Sequence, residues 1–203
     1  MKAQEQMNNF YPLNLLNIMK TISKITSIIV TILAIFTYTA NAQEDRGGFR
    51  LSVGPEVGLP IGNFGDFYDW NLGGSIQGEL PILNNDLYVT LNAGFNNFFA
   101  KDIKGVSGED LQLIPVKAGL KYFVVNNFYV QGEAGASFVT NKDDVGATKS
   151  AAFIYAPQIG YLFPLGGKNY LDAGVRFEGN SKFVDGGSSN NFFGLRIAYS
   201  FGL

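Results

Sequence analysis

LYVTLNAGF, Leu87 to Phe95, alternates without a break. Leu87, Val89, Leu91, Ala93 and Phe95 share one parity; Tyr88, Thr90, Asn92 and Gly94 share the other. On a helix the five apolar side chains would scatter around the axis, whereas on a strand they form one face. Seven further stretches between Phe49 and Phe201 carry the same two-residue period.

Upstream lie Phe49 to Leu59, with Leu51, Val53, Val57 and Leu59 opposite Arg50, Ser52 and Glu56, and Leu72 to Leu80, with Leu72, Ile76 and Leu80 opposite Ser75, Gln77 and Glu79. Downstream lie Leu111 to Phe123, Phe128 to Phe138, Phe153 to Phe163, Leu171 to Glu178 and Phe193 to Phe201. In the stretch from Leu111 the parity slips: Leu111 and Leu113 are odd, but Ile114, Val116, Ala118, Leu120 and Tyr122 are even. A β-bulge at Leu113 to Pro115 would absorb the extra residue, and proline tolerates a bulge because it cannot donate to the ladder. Pro55 and Pro157 fall in mid-strand, where a missing N–H is hardest to accommodate.

The connections alternate as well. Pro81 to Asp86, Val124 to Asn127 and Pro164 to Asn169 are short; Pro60 to Asn71, Asn96 to Asp110, Val139 to Ala152 and Gly179 to Asn191 are long. Short turns on one side, long loops on the other and an even strand count are the signature of outer-membrane barrels. The chain is therefore expected to be all-β, an eight-stranded antiparallel up-and-down transmembrane β-barrel. A soluble sandwich or lipocalin-like barrel would turn its apolar face inward and its charges outward. Here the polar parity is mostly Gly, Ser, Asn and Gln, with Arg50, Lys117, Lys121, Arg176 and Arg196 against Glu56, Glu79, Glu133, Asp172 and Glu178. Five cations against five anions suit a lumenal ion-pair network, because an unpaired charge in a narrow lumen is costly.

Composition agrees. The chain has 203 residues, 46% hydrophobic and 16% charged, with 25 Gly, 18 Phe and 10 Tyr. One domain, small inward residues and aromatic girdles follow. It has no Cys and no His, which excludes disulfides, thiolate metal sites and the commonest general base. A net charge of −2 leaves no basic footprint for nucleic acid.

The N-terminus reads as an address. In MKTISKITSIIVTILAIFTYTANAQ, Met19 to Gln43, Lys20 and Lys24 precede the apolar run Ile28 to Phe36, and Ala40-Asn41-Ala42 is a small-x-small cleavage site. Residues 19–42 are expected to be a signal peptide cleaved after Ala42, residues 1–18 a non-native upstream extension, and residues 43–203 the barrel domain. Cleavage would remove Lys2, Lys20, Lys24 and Glu5, leaving 12 basic and 16 acidic residues.

LQLIPVKAGLKYFV (Leu111 to Val124), FYVQGEAGASF (Phe128 to Phe138), FIYAPQIGYLFP (Phe153 to Pro164) and FFGLRIAYSF (Phe192 to Phe201) resemble the outer-membrane β-barrel family of Bacteroidota, which includes PorT-like proteins. The resemblance covers most of the mature chain and implies a small barrel of the OmpA/OmpX kind in the bacterial outer membrane. It also implies contact with outer-membrane lipid or lipopolysaccharide, handling by the outer-membrane assembly machinery and, for PorT-like members, a partner in a secretion machine. One departure is that such barrels usually end on an aromatic residue, whereas Gly202-Leu203 follow Phe201 here.

No catalytic constellation emerges, and no cofactor is expected. Serines lack a base. Asp66 with Asp69, Asp143-Asp144 and Asp185 could offer oxygen ligands to Ca²⁺, but they read more simply as loop-solvating charges. GLKYF and GGKNY lack phosphate-loop spacing. The most suggestive stretch is NFGDFYDWN, whose Phe67, Tyr68 and Trp70, with Phe64, could present an outer-loop contact surface; the simpler reading is the upper aromatic girdle. The function expected is a non-enzymatic structural or interaction role in the envelope, the alternatives being a secretion-machine subunit or a narrow channel for small or apolar solutes.

Overall fold

The computed structural model describes residues 48–83, 86–103 and 105–203. The expected signal peptide, cleavage site and upstream extension lie outside the described residues. Eight long strands follow the alternating stretches: β1 (Arg50–Ile61), β2 (Tyr68–Leu83), β3 (Leu87–Ala100), β6 (Leu111–Val125), β7 (Phe128–Val139), β8 (Ala151–Gly166), β9 (Asn169–Asn180) and β10 (Asn190–Gly202). A five-residue helix, α1 (Asn63–Phe67), links β1 to β2, and a small hairpin of β4 (Asp102–Ile103) and β5 (Val106–Ser107) stands in the loop between β3 and β6. The long strands pair in the closed order β1-β10-β9-β8-β7-β6-β3-β2, each antiparallel to its neighbours in sequence, and β1 closes on both β2 and β10. This is an eight-stranded up-and-down barrel, and closure leaves it no free sheet edge.

The pleat sorts the side chains. Val53, Val57, Leu72, Ile76, Leu91, Leu120, Ile159 and Leu195 point outward and are exposed, while their polar neighbours in sequence are buried inside. An exterior this apolar is stable only in an apolar solvent, and every backbone group of a closed barrel is satisfied there. The alternation is that of a barrel crossing a bilayer.

The three mid-strand prolines are accommodated in a common way. Pro55 keeps its place opposite Gly74 of β2, but the β1–β10 ladder is open at Gly54 and Pro55. The β8–β9 ladder is open at Ala156 and Pro157, and the β3–β6 ladder at Ile114 and Pro115. In each case the register is identical on both sides of the gap. A proline thus costs a local interruption on the side where its N–H is missing, and no slip.

The bulge expected at Leu113 to Pro115 is therefore absent. Residues 113–123 of β6 run against β7 in unbroken register, and the irregularity of this pair falls between Phe123 and Val125. Leu111 and Leu113 break parity for another reason: both point into the barrel, where the lumen changes from polar to apolar near the loop end. The strand stays straight while the chemistry of its inner face changes.

Candidate functional site

The barrel interior is stacked in three layers. At the turn end Tyr88, Phe123, Tyr129, Leu162 and Tyr170 pack together. The Tyr129 ring fits only because two neighbours are glycine: a Cβ at Gly160 would lie 2.3 Å from its Cζ and Oη, and one at Gly174 would lie 2.8 Å from the Oη. At the loop end Phe98, Leu111, Leu113, Val139 and Phe192 form an apolar plug, with Phe64 of α1 inserted from above. Phe64 packs on Phe98 at 5.0 Å between ring centroids and Phe98 on Phe192 at 5.1 Å, so Phe98 and Phe192 face the lumen rather than a lipid-facing girdle.

Between these layers lie the ten charged residues of the polar parity, all buried. Ion pairs join them into one unbranched chain of alternating sign. Arg50 meets Glu79 at 2.9 Å, Glu79 meets Lys121 at 2.8 Å, Lys121 meets Asp172 at 2.9 Å, and Asp172 meets Arg196 at 3.8 Å. Arg196 reaches Glu56 at 3.4 Å, Glu56 pairs with Arg176, Arg176 with Glu178 at 3.2 Å, Glu178 with Lys117 at 2.6 Å, and Lys117 with Glu133 at 3.9 Å. Every barrel strand except β3 and β8 contributes a charge. Neutral neighbours take up further hydrogen bonds: Thr90 Oγ1 donates to Glu133, Gln77 Nε2 to Glu79, and Tyr129 Oη to Asp172 at 2.6 Å. Two cations also lie over aromatic faces, the Arg50 guanidinium 4.3 Å from the Tyr88 ring centre and the Lys121 ammonium 3.9 Å from that of Tyr129. A net-neutral core of this kind holds charge at low dielectric by pairing each carboxylate, four of the five with two cations.

The loops form a crown above the plug. The β7–β8 loop (residues 140–150) and the β9–β10 loop (residues 181–189) are zipped together: Thr148 and Lys149 donate backbone N–H bonds to the Phe183 carbonyl at 3.1 and 3.0 Å, and the Asp185 N–H bonds Thr148 Oγ1. Lys149 pairs with Asp185 at 3.0 Å, and its hydrogen bond holds the Asp185 carboxyl below the usual range. On the opposite side α1 is anchored by the Lys101 ammonium, which donates to the Gly65 carbonyl at 2.6 Å and pairs with Asp69 at 3.5 Å. Asn63 Nδ2 donates across to Ser188 Oγ at 2.9 Å, joining the two sides of the crown. Between α1 and the zipped loops is a cavity of about 680 Å³. Phe64, Tyr68, Leu111, Val145, Phe183 and Val184 supply its apolar walls, and Asn63, Asp66 and residues 188–190 its polar side.

The three aromatics singled out in NFGDFYDWN do not form one surface. Trp70 is outward and stacks on Phe99 at 4.5 Å, in the position of a girdle residue. A register shift between Tyr68 and Trp70 reverses the parity, so Tyr68 turns inward against Phe64 at 4.9 Å. Phe67 stays 58% exposed on the crown and lines the cavity. Trp70→Ser should lower stability by about 0.5–1.5 kcal/mol, the worth of an aromatic pair. Urea unfolding of lipid-refolded protein checks this, and an unchanged midpoint would contradict the girdle position.

Sequence reading missed the cavity, because its walls come from three loops far apart in the chain. A signal did exist: Val145, Phe183 and Val184 are apolar residues within otherwise polar loops, and such residues are usually packed against something.

No protein-family model matches the chain, and no curated protein matches its sequence. Among solved structures it is similar to outer membrane protein AlkL, seen by solid-state NMR in DMPC lipid bilayers, at TM-score 0.51 and 17% identity over 81% of this chain and 94% of that one. It is also similar to outer membrane protein OprG from Pseudomonas aeruginosa (TM-score 0.49, 13% identity, 78% and 98% covered) and to Ail, the attachment invasion locus protein of Yersinia pestis (0.48, 18%, 76% and 99%). At these identities the likeness to AlkL is one of fold: the chain has the architecture of a small outer-membrane barrel.

Proposed function

We propose that this chain is a non-enzymatic barrel of the bacterial outer membrane with an interaction role, carried out at its loop crown and not by passage through its lumen. The observation that carries this reading is the filled interior: an aromatic layer, a neutral ion-pair chain and an apolar plug stacked between the two ends. Eight strands enclose just enough space for side chains, and here large side chains occupy it. The lipid-matched exterior and the fold shared with AlkL support the location. Outer-membrane lipid and lipopolysaccharide are then the immediate surroundings, and the assembly machinery the route of insertion. A secretion-machine role, which the PorT-like resemblance implies, would use the same crown as its contact face.

In planar bilayers the purified barrel is expected to give no discrete conductance steps at moderate voltage. Reproducible single-channel openings that vanish in a crown or lumen variant would overturn the filled-lumen reading in favour of a narrow channel. Crosslinking and affinity capture from outer membranes then tests the interaction role, for which a stoichiometric envelope partner is the expected result.

A further inference from the structure

We propose that the crown cavity is a binding site for an uncharged amphiphile with a hydroxylated head and an apolar body. The inference rests on the interaction reading above and gives it a ligand class. At about 680 Å³ the cavity is within the range of small-molecule sites, roughly 300–1,000 Å³. Its walls divide by chemistry. Phe64, Phe183, Val145 and Leu111 make an apolar floor continuous with the lumen plug, and the exposed Phe67 and Val184 beside it are the apolar surface that a seated chain or ring would remove from water. The lining also holds the Asn63 amide, hydrogen-bonded across to Ser188, with the Ser188 and Ser189 hydroxyls and the Asn190 amide, groups that can both donate and accept.

The charge pattern selects the head group. Asp66 is the charged residue of the lining, and neither a lysine nor an arginine is among the lining residues. Lys101 and Lys149, on the neighbouring loops, are engaged with Asp69 and Asp185. A carboxylate or phosphate head would therefore face Asp66 with no lysine or arginine in the lining to offset its desolvation, Lys142 and Lys182 of the same loops standing outside that lining. A hydroxyl can donate to Asp66 and exchange hydrogen bonds with the asparagines and serines. The Asn63–Ser188 hydrogen bond joins the two sides of the cavity through exposed side chains, so its groups can turn to a ligand without leaving a buried partner unsatisfied.

Matched probes test this: 1-decanol and decanoate share an apolar chain and differ in the head. Both are titrated into methyl-labelled protein in lipid nanodiscs. The expected result is saturable shifts at the Leu111, Val145 and Val184 methyls with decanol, an affinity for decanoate weaker by at least about tenfold, and only non-saturating shifts at lipid-facing Leu91 and Leu120. Val184→Trp, an exposed lining position, should weaken decanol by at least about tenfold while the barrel keeps its heat-modifiable gel mobility. Equal binding of decanoate, or shifts confined to the lipid-facing methyls, would overturn the proposal. Because these readouts are independent of conductance and partner capture, its failure is distinguishable from failure of the interaction reading.

Discussion

Glu79→Leu is expected to lower the unfolding free energy of the lipid-embedded barrel by about 3–5 kcal/mol, the cost of stranding a buried charge. Glu79 is fully buried and accepts from Arg50 Nε at 3.2 Å and Nη2 at 2.9 Å, from Lys121 Nζ at 2.8 Å and from Gln77 Nε2 at 2.8 Å. The two cations fare differently when it is removed. Lys121 keeps Asp172 at 2.9 Å, but Arg50 ends the ion-pair chain and Glu79 is its acidic partner. The stacking of Arg50 over Tyr88 does not neutralise it. Removing Arg50 as well should then recover a large part of the loss, so the Arg50→Leu, Glu79→Leu double variant is expected to be more stable than Glu79→Leu alone. Arg50→Leu alone should cost less than Glu79→Leu, since Glu79 retains Lys121. Equilibrium urea unfolding followed by the fluorescence of Trp70, the one tryptophan in the chain, measures all three. A Glu79→Leu variant within about 0.5 kcal/mol of the parent, the scale of an ordinary surface change, would mean the charge chain is wetted and not a sealed core.

Leu91→Arg should cost about 2–4 kcal/mol, the penalty for a cation near the bilayer midplane on a barrel's outer face. Leu91 is 61% exposed and stands between Gly78 of β2 and Ala118 of β6, so no neighbour shields it. Val125→Arg makes the comparison decisive. Val125 is as exposed, at 63%, but ends β6 at the turn side, where the same change costs only about 0–1 kcal/mol. Depth dependence is a property of lipid. On a water-facing surface both substitutions would be nearly free, and equal small effects in the same titration would remove the bilayer from the account.

Much of this architecture was legible in the alternation. Leu87 to Phe95 alone shows which parity is outward, and eight such stretches with alternating gap lengths imply closure. Strand ends were less legible. β2 starts at Tyr68 and β3 runs on to Ala100, beyond the apolar rhythm, because Asn71, Asn96 and Asn97 pair by backbone and carry no hydrophobic signal. The parity slip at Leu113 reads as a bulge because a change of lumen chemistry and an extra residue leave the same trace in a sequence. The ten charges could be placed on one parity, but not linked in order, since which carboxylate meets which cation depends on barrel stagger. The crown was opaque for a simpler reason: loop conformation is set by contacts such as Thr148 with Phe183 and Asn63 with Ser188, which join residues 35 and 125 positions apart.

The most direct test of the barrel's inside-out arrangement uses the absence of cysteine from the chain. Single cysteines placed in turn at residues 87 to 95 of β3 can carry a nitroxide with no background label. In lipid bilayers, collision with oxygen should rise at Leu87, Val89, Leu91, Ala93 and Phe95 and fall at Tyr88, Thr90, Asn92 and Gly94. Water-soluble nickel reagent should reach neither set near mid-strand, because one faces lipid and the other a filled lumen. A flat profile, or nickel access at Thr90 and Asn92, would contradict a sealed barrel that turns its apolar face to the membrane.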